Sequence, residues 1–463
     1  MPAAPRRARR ARTAREAPAA TPRAETRGPR AEYEADVLPI ELLGGVKELA
    51  QKTRERLSAR VNEDGEVSQE EATGIAAEQA ARTPELASLD AGTRDRVADE
   101  AVAELFLLGP LEPLLRDPTV TEVMVNAPDQ IYVEQKGSLK LTNVRLRDDE
   151  QALALCSRLA AEDDKHCDKG TPTCDCTLHR PGTDFDGSRV NLMVPPIAVD
   201  HPVIDIRKFR ADVVTPEALE ATGSFDRKTA EILESMVLAR MNIIVMGGTG
   251  SGKTTLLNAL SCFIPDDQRI LTVEDTVELK LAKSHLVRAT TRQRSAEGTG
   301  EYTIRDSILN ALRQRPDRIV VGECRGEEAF DMLQAMSTGH DGSLTTLHAN
   351  NARHALSRLQ MMIQMSRSAG NMNPVDIMKV ITDAVDVIVH VKRWPDGSRR
   401  VAEVVEVQGC DGQTGVPTVA PIVLYDEKAG AWVPTGEKLT PAHRERYATN
   451  GVEIDERWWS QWL

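Results

Sequence analysis

At 463 residues the chain is too long for one hydrophobic core, and about three domains are expected. Its formal net charge of −13 and aromatic content of 3% count against nucleic acid as the main partner, since an acidic body repels phosphate and few rings can stack on bases. No apolar run approaches the roughly 20 residues that span a bilayer, and seven Cys, an odd number, suit a reducing compartment, so a soluble, cytosolic protein is expected.

The charge is unevenly spread. Residues 1–30 hold nine Arg, two Glu and five Pro among many Ala, so they carry +7 and the rest of the chain −20. Such a stretch cannot build a core, and residues 1–35 read as a disordered basic arm. Beside a solvated tail with no fixed role stand two sharper readings: an organelle transit peptide, or an arm that touches anionic lipid.

Over residues 36–108 the pattern turns helical and predicts a small helical bundle. A charged amphipathic run follows Val37-Leu38-Pro39, a second helix covers Gln69–Arg82, and a third near 93–108 has Val97, Val102, Leu105 and Phe106 at helical spacing. At Gly109-Pro110-Leu111-Glu112-Pro113 the chain changes character. Strands are expected at 120–125 and 130–134, with Lys136-Gly137-Ser138 as a turn between strands, then a helix over 148–163 and β-type segments at 189–194 and 203–207. Residues 109–212 therefore read as a mixed α/β N-terminal domain.

A helix over 225–240 leads to Ile243-Ile244-Val245-Met246, an apolar run typical of a buried parallel strand. Further strands are expected at 269–273, 286–289, 318–321, 342–346 and 385–391, with helices at 302–313, 327–337 and 352–365 between them. The alternation predicts an α/β domain over 213–410, its parallel sheet covered by helices on both faces. Residues 411–463 read as a C-terminal extension, Gly- and Pro-spaced, ending in Trp458, Trp459 and Trp462. Those rings are expected to pin the tail to the body; an exposed partner site is the alternative.

Between the strand at 243 and a helix beginning Leu256-Leu257 lies Gly247-Gly248-Thr249-Gly250-Ser251-Gly252-Lys253-Thr254-Thr255. This G-x-x-x-x-G-K-T pattern in a strand–loop–helix context predicts a phosphate-binding loop. Glycines let successive N–H groups curl toward phosphate oxygens, and the start of the next helix adds its positive end. Lys253 can reach the β- and γ-phosphates, and the Thr254 hydroxyl can ligate Mg²⁺. A nucleoside triphosphate is the expected ligand.

Four acidic or His segments follow. Leu271-Thr272-Val273-Glu274-Asp275-Thr276-Val277-Glu278 puts acids at the C-terminal end of a strand, where ligands bind in doubly wound sheets. Arg318-Ile319-Val320-Val321-Gly322-Glu323-Cys324-Arg325 delivers Glu323, a lone acid for the metal, the attacking water or both. Thr338-Gly339-His340-Asp341-Gly342 and Thr345-Thr346-Leu347-His348-Ala349-Asn350 put His340 and His348 on either side of a short β segment, and both are candidate functional groups.

The combination resembles the secretion/type IV pilus ATPase superfamily, whose members carry a Walker A loop, an Asp box, a Walker B with Gly-Glu, and a His box. Gly109-Pro110-Leu111-Glu112-Pro113-Leu114-Leu115, Glu122-Val123-Met124-Val125-Asn126, Asp186-Gly187-Ser188-Arg189-Val190-Asn191 and Ile206-Arg207-Lys208-Phe209 resemble more narrowly the CpaF-type branch, which powers Tad/Flp pilus assembly. The similarity covers roughly residues 100–410. It implies a RecA-like P-loop ATPase domain and hydrolysis of ATP with Mg²⁺. Lys253 and Thr254 would bind phosphate and metal, Glu274 would help hold Mg²⁺ or water, and Glu323 would act as base or orient water. His348 would contact the γ-phosphate, and Arg189 and Arg207 would reach the phosphates from the N-terminal domain. The resemblance also implies a homo-hexamer working at the cytoplasmic side of the inner membrane on platform proteins of a pilus or secretion machine. A type IV secretion ATPase for effector or DNA transfer is the alternative; a scaffold that binds nucleotide without hydrolysis is disfavoured by the intact Glu323 and His348.

One segment departs from the resemblance. His166, Cys167, Cys174, Cys176 and His179 fall within 14 residues and include enough soft ligands for Zn²⁺, though at an uncommon spacing. A metal-free polar loop is the expectation. Met361, Met362 and Met365, at helical spacing after the His box, are expected in the core rather than on an adaptable binding face.

Overall fold

In the computed structural model, residues 32–64, 68–209, 214–292, 294, 299–366 and 369–459 are described. Nearly all of the expected basic arm and Trp462 lie outside them. Small apolar residues at helical spacing let the first helices approach closely. Helix Leu43–Asp64 contributes Val46, Leu49 and Ala50, helix Gln69–Arg82 contributes Ala72, Ala76 and Ala80, and helix Ala91–Phe106 contributes Val97, Ala98, Ala101 and Val102 to one buried cluster. Ser68 and Asp90 cap the last two by accepting the backbone N–H of Glu71 and Thr93. The expected bundle is present.

Next comes a six-stranded antiparallel sheet: β1 Val120–Ala127, β2 Gln130–Gln135, β3 Ser138–Leu141, β4 Thr173–Leu178, β5 Ser188–Met193 and β6 Val203–Arg207, in the order β3-β2-β1-β6-β5-β4. Helix Asp149–Glu162 turns Leu155, Cys156 and Leu159 into the sheet's core. The segment around Cys174 is not the polar loop its composition suggested. It is β4, whose alternation points Cys174, Cys176 and Leu178 into that core, a pattern hidden by Thr and Asp on the other face.

The second sheet has nine strands: β7 Ile243–Gly247, β8 Ile270–Glu274, β9 Leu286–Thr290, β10 Arg318–Val321, β11 Leu344–His348, β12 Val387–Arg393, β13 Arg399–Cys410, β14 Pro417–Asp426 and β15 Ala431–Pro434. The order is β15-β14-β13-β12-β7-β11-β10-β8-β9; β12 through β9 run parallel, and β13 to β15 join antiparallel. Helices cover both faces, as β7 shows. Ile244 and Met246 enter a core with helices Glu328–Ser337, Ala352–Met365 and Pro374–Ala384, while Ile243 and Val245 enter one with helices Arg227–Leu238 and Lys253–Cys262. The chain beyond residue 411 supplies β14 and β15 of this sheet and then helix Pro441–Thr449. Trp458 and Trp459 are buried in the second core, so these two rings do pin the tail. Met362 is buried, but Met361 is 60% and Met365 78% exposed; the methionine stripe straddles the helix rather than facing inward. Among the described residues no helix is long and apolar enough to cross a membrane.

Candidate functional site

The glycine-rich loop leaves the C-terminal end of β7, the central strand of the nine. A Cβ at Gly247 would collide with the Val391 carbonyl oxygen of β12, so only glycine fits there. Gly250 (φ 69°) and Gly252 (φ 94°) take left-handed conformations that turn the chain into helix Lys253–Cys262. Lys253 is the first residue of that helix, and its side chain folds back over the loop. Its ammonium donates to the Gly248 carbonyl at 3.0 Å and lies 3.3 Å from each ring nitrogen of His348. Burial holds its pKa below the usual lysine range, against the opposing pull of Glu323.

The partners converge because their strands are neighbours. His348 ends β11, level with Gly247 across the ladder. Glu323 lies two residues beyond β10, on the other side of β11. His348 Nε2 is 3.1 Å from Glu323 Oε1, and the other carboxylate oxygen accepts from Arg325 Nη2 at 2.9 Å. Arg325 Nη1 in turn reaches Asp275 at 3.4 Å. Burial, then the Lys253 charge, lower the His348 pKa, so the ring is neutral near pH 7.

Glu274 ends β8 and is 3% exposed, packed against Gly322. Its Oε1 accepts the backbone N–H groups of Glu278 and Leu279, at 2.9 and 2.8 Å, and thereby shapes the following loop. Its Oε2 is buried without a hydrogen-bond partner. Burial raises this carboxyl to about 7. The loop it shapes brings Glu278, four residues on, to 3.4 Å from the Thr254 hydroxyl. Composition alone did not single out Glu278, Asp275 or Arg325. The signal for all three was proximity in sequence to Glu274 and Glu323.

Arg207 and Arg189 are direct cross-strand neighbours on β6 and β5. Arg207 pairs with Glu122 of β1 at 3.5 Å, and its charge is close enough to depress the Lys253 pKa. Arg189 pairs with Asp175 at 3.5 Å. The structure therefore brings Lys253, His348 and Glu323 together, with the Arg207 charge near enough to act on Lys253, while Arg189 sits beside Arg207 on the neighbouring strand. Phe209, just past β6, carries the Lys280 ammonium 4.0 Å above its ring, a contact between the two sheets' segments.

His340 does not join this site. It precedes β11, so the length of that strand, about 15 Å for five residues, separates it from His348. It stands at the N-terminal edge of the sheet, opposite the glycine-rich loop. In the Cys/His segment, His166 is exposed, His179 Nε2 lies 3.2 Å from Asp163, and Cys167, Cys174 and Cys176 are buried among apolar side chains. Among the described residues no group of three His, Cys, Asp or Glu side chains is gathered to hold a metal.

Residues 107–451 match the protein family described as Type II/IV secretion system protein. A Mycobacterium tuberculosis protein provisionally named for conjugal transfer is 36% identical over 316 residues, 68% of this chain and 89% of its own. Conjugal transfer protein TrbB of Rhizobium radiobacter is 32% identical over 299 residues, 64% of this chain and 86% of its own. Among solved structures, the VirB11 ATPase from the Brucella suis type IV secretion system, in complex with sulphate, is 29% identical and covers 66% of this chain and 95% of that one, with a TM-score of 0.35.

Proposed function

The chain belongs to the Type II/IV secretion system protein family, and from that premise we propose that it is an ATP hydrolase whose turnover drives a pilus-assembly or secretion machine. The single observation that carries the reading is the contact chain Lys253–His348–Glu323–Arg325 at the mouth of the glycine-rich loop. The loop fits a triphosphate. Two left-handed glycines and a glycine with no room for a side chain form a cradle, and a buried ammonium supplies the positive charge. The backbone of Gly247, Gly248, Thr249, Gly250, Ser251 and Gly252 would line the phosphates with Thr255 at the helix start, and Lys253 would span the β- and γ-phosphates.

Mg²⁺ fits the Thr254 hydroxyl with Glu278 beside it, and Glu274 and Glu323 would act on the ion from further off rather than as gathered ligands. Bound there, the ion would neutralise charge on the transferred phosphoryl group. Glu323 would orient the attacking water or take its proton; Arg325 holds one carboxylate oxygen and leaves the other toward His348. His348, neutral near pH 7, can donate a hydrogen bond to a γ-phosphate oxygen without adding a fixed charge. Arg207 would stabilise transition-state charge from the N-terminal domain, which we take as residues 109–212, against an ATPase domain at 213–410.

We assign the working form as a homo-hexamer at the cytoplasmic face of the inner membrane, acting on platform proteins. The Tad/Flp pilus reading rests on the motifs of the 109–210 region. The relatives' names favour the second reading, a type IV secretion or conjugal transfer ATPase. Steady-state phosphate release with and without DNA separates the two: stimulation by DNA would support the second. The core assignment is tested with Lys253→Ala, which should weaken ATP binding by tenfold or more, on the order expected for losing a charge paired with phosphate. An unchanged Kd would mean the loop is not the nucleotide site. Light scattering at six times the 50.8 kDa chain mass would support the ring; a monomer with ATP would refute it.

A further inference from the structure

The hairpin joining β12 to β13 reaches back over the glycine-rich loop. Its turn is stiff. Trp394 N–H donates to the Ser398 carbonyl at 2.8 Å, Gly397 N–H returns to Trp394 at 2.9 Å, and the Asp396 carboxylate accepts from Ser398 N–H and Arg400. Trp394 stands edge-on to Tyr425 of β14, ring centroids 5.3 Å apart. Just outside the turn Arg393 and Arg399 face each other across the two strands.

Both guanidinium groups approach the loop. Arg399 Nε donates to the Gly250 carbonyl at 2.9 Å, and its Cδ lies 3.3 Å from where a Gly252 Cβ would be. Arg393 Nη1 is 4.0 Å from the Cβ position of Gly250, and Nη2 donates to the Gly137 carbonyl in the β2–β3 turn at 3.2 Å. The Gly250 carbonyl and the Ser251 N–H belong to one planar trans peptide, so fixing one aims the other in the opposite direction. A charged donor pulling the carbonyl outward therefore turns the Ser251 N–H into the loop, where it makes only a long 3.4 Å contact with Gly248. Flanked by left-handed Gly250 and Gly252, this peptide is otherwise held by the buried Ser251 hydroxyl, which donates to the Gly248 carbonyl at 2.9 Å.

We propose that Arg399 is a positioning residue of the nucleotide site: it grips the Gly250–Ser251 peptide from outside so that its N–H faces the bound phosphates. Arg399 thereby sets nucleotide affinity and not the rate of the chemical step. The inference rests on the glycine-rich loop being the nucleotide site.

The test compares full-length wild type with Arg399→Ala, Arg399→Lys and Lys253→Ala, measuring Kd for ADP and ATP by direct titration, kcat at saturating ATP, and melting temperature. Arg399→Ala should weaken both nucleotides about tenfold, equivalent to about 1.4 kcal/mol and the scale of one hydrogen bond from a charged group. It should leave kcat within about threefold and the melting temperature unchanged, because the side chain is exposed. Arg399→Lys, which keeps a charged donor, should recover most of the affinity. Unchanged affinity in Arg399→Ala, or a fall in kcat alone, would overturn the inference while a weakened Lys253→Ala leaves the site assignment standing. Wild type that binds neither nucleotide would instead overturn the site assignment, and this inference with it.

Discussion

At the N-terminal edge of the parallel sheet, Asp386 accepts from the Asn242 N–H at 2.7 Å, from His443 Nε2 at 3.1 Å and from Arg446. His443 Nδ1 meets Glu406 at 2.5 Å, and fully buried Arg318 donates to Gln268, Gly342 and Val237. At the C-terminal edge, Lys253, His348, Glu323 and Arg325 meet at 2.9 to 3.3 Å, and a buried Glu274 oxygen has no hydrogen-bond partner. Similar residue types occupy the two ends of the same strands. Around Asp386 one end is tied by short bonds with the C-terminal helix as a lid, although His340 Nδ1 at the same edge is buried without a partner; the other end is more loosely paired. A charge network that satisfies its own members stabilises, whereas one that leaves polar atoms over is suited to a ligand.

The largest expected effect falls at the loosely paired edge. Arg207→Ala should lower kcat on the order of 10³-fold, the scale of an arginine finger, without moving the melting temperature. Arg189→Ala, held one strand away on Asp175, should cost less. Equal effects of the two, or a lowered melting temperature with kcat preserved, would reduce Arg207 to a structural ion pair with Glu122.

At the closed edge the effect should appear in stability instead. Asp386→Ala leaves His443 and Arg446 facing a void and should cost about 3–5 kcal/mol, with the kcat of folded protein unchanged. The pH response has a definite sign. Burial alone would lower the His443 pKa, but hydrogen bonds and charge from Asp386 and Glu406 raise it to about 9, above its ordinary 6.5. Its contribution, up to about 3 kcal/mol, is therefore complete below pH 6.5 and lost as pH rises through about 9. Melting curves of wild type should fall over that window, and His443→Gln should be flat and lower; parallel curves would break the comparison.

Much of this was legible in the chain. The glycine-rich loop, the strand before it and the acids at strand ends follow from spacing alone, and strand 318–321 and helix 352–365 sit where their periodicity predicts. What could not be read was pairing across long sequence distance. Nothing near Arg399 indicates that it grips Gly250, 149 residues earlier. Nor does His340 show that its strand carries it to the wrong end of the sheet. Cys174 and Cys176 looked like polar-loop residues because only every second position of β4 is apolar.

A smaller effect would sharpen the contrast between the edges. Glu274 has its pKa raised to about 7 by burial, so its carboxylate opposes folding increasingly as pH rises from its ordinary 4.5 through 7. Glu274→Gln keeps an acceptor for the Glu278 and Leu279 N–H groups and removes that charge. It should be more stable than wild type by about 1–3 kcal/mol at pH 8, nearly equal at pH 5, and slower in turnover. Equal stability at both values would mean the group is not strained.

The most direct measurement is steady-state phosphate release by Glu323→Gln, with nucleotide Kd determined in parallel. Glutamine keeps the shape but cannot take a proton, so kcat should fall roughly 10²-fold or more, while Kd stays within about twofold of wild type. Near-normal turnover would contradict the account and move the base to Glu274.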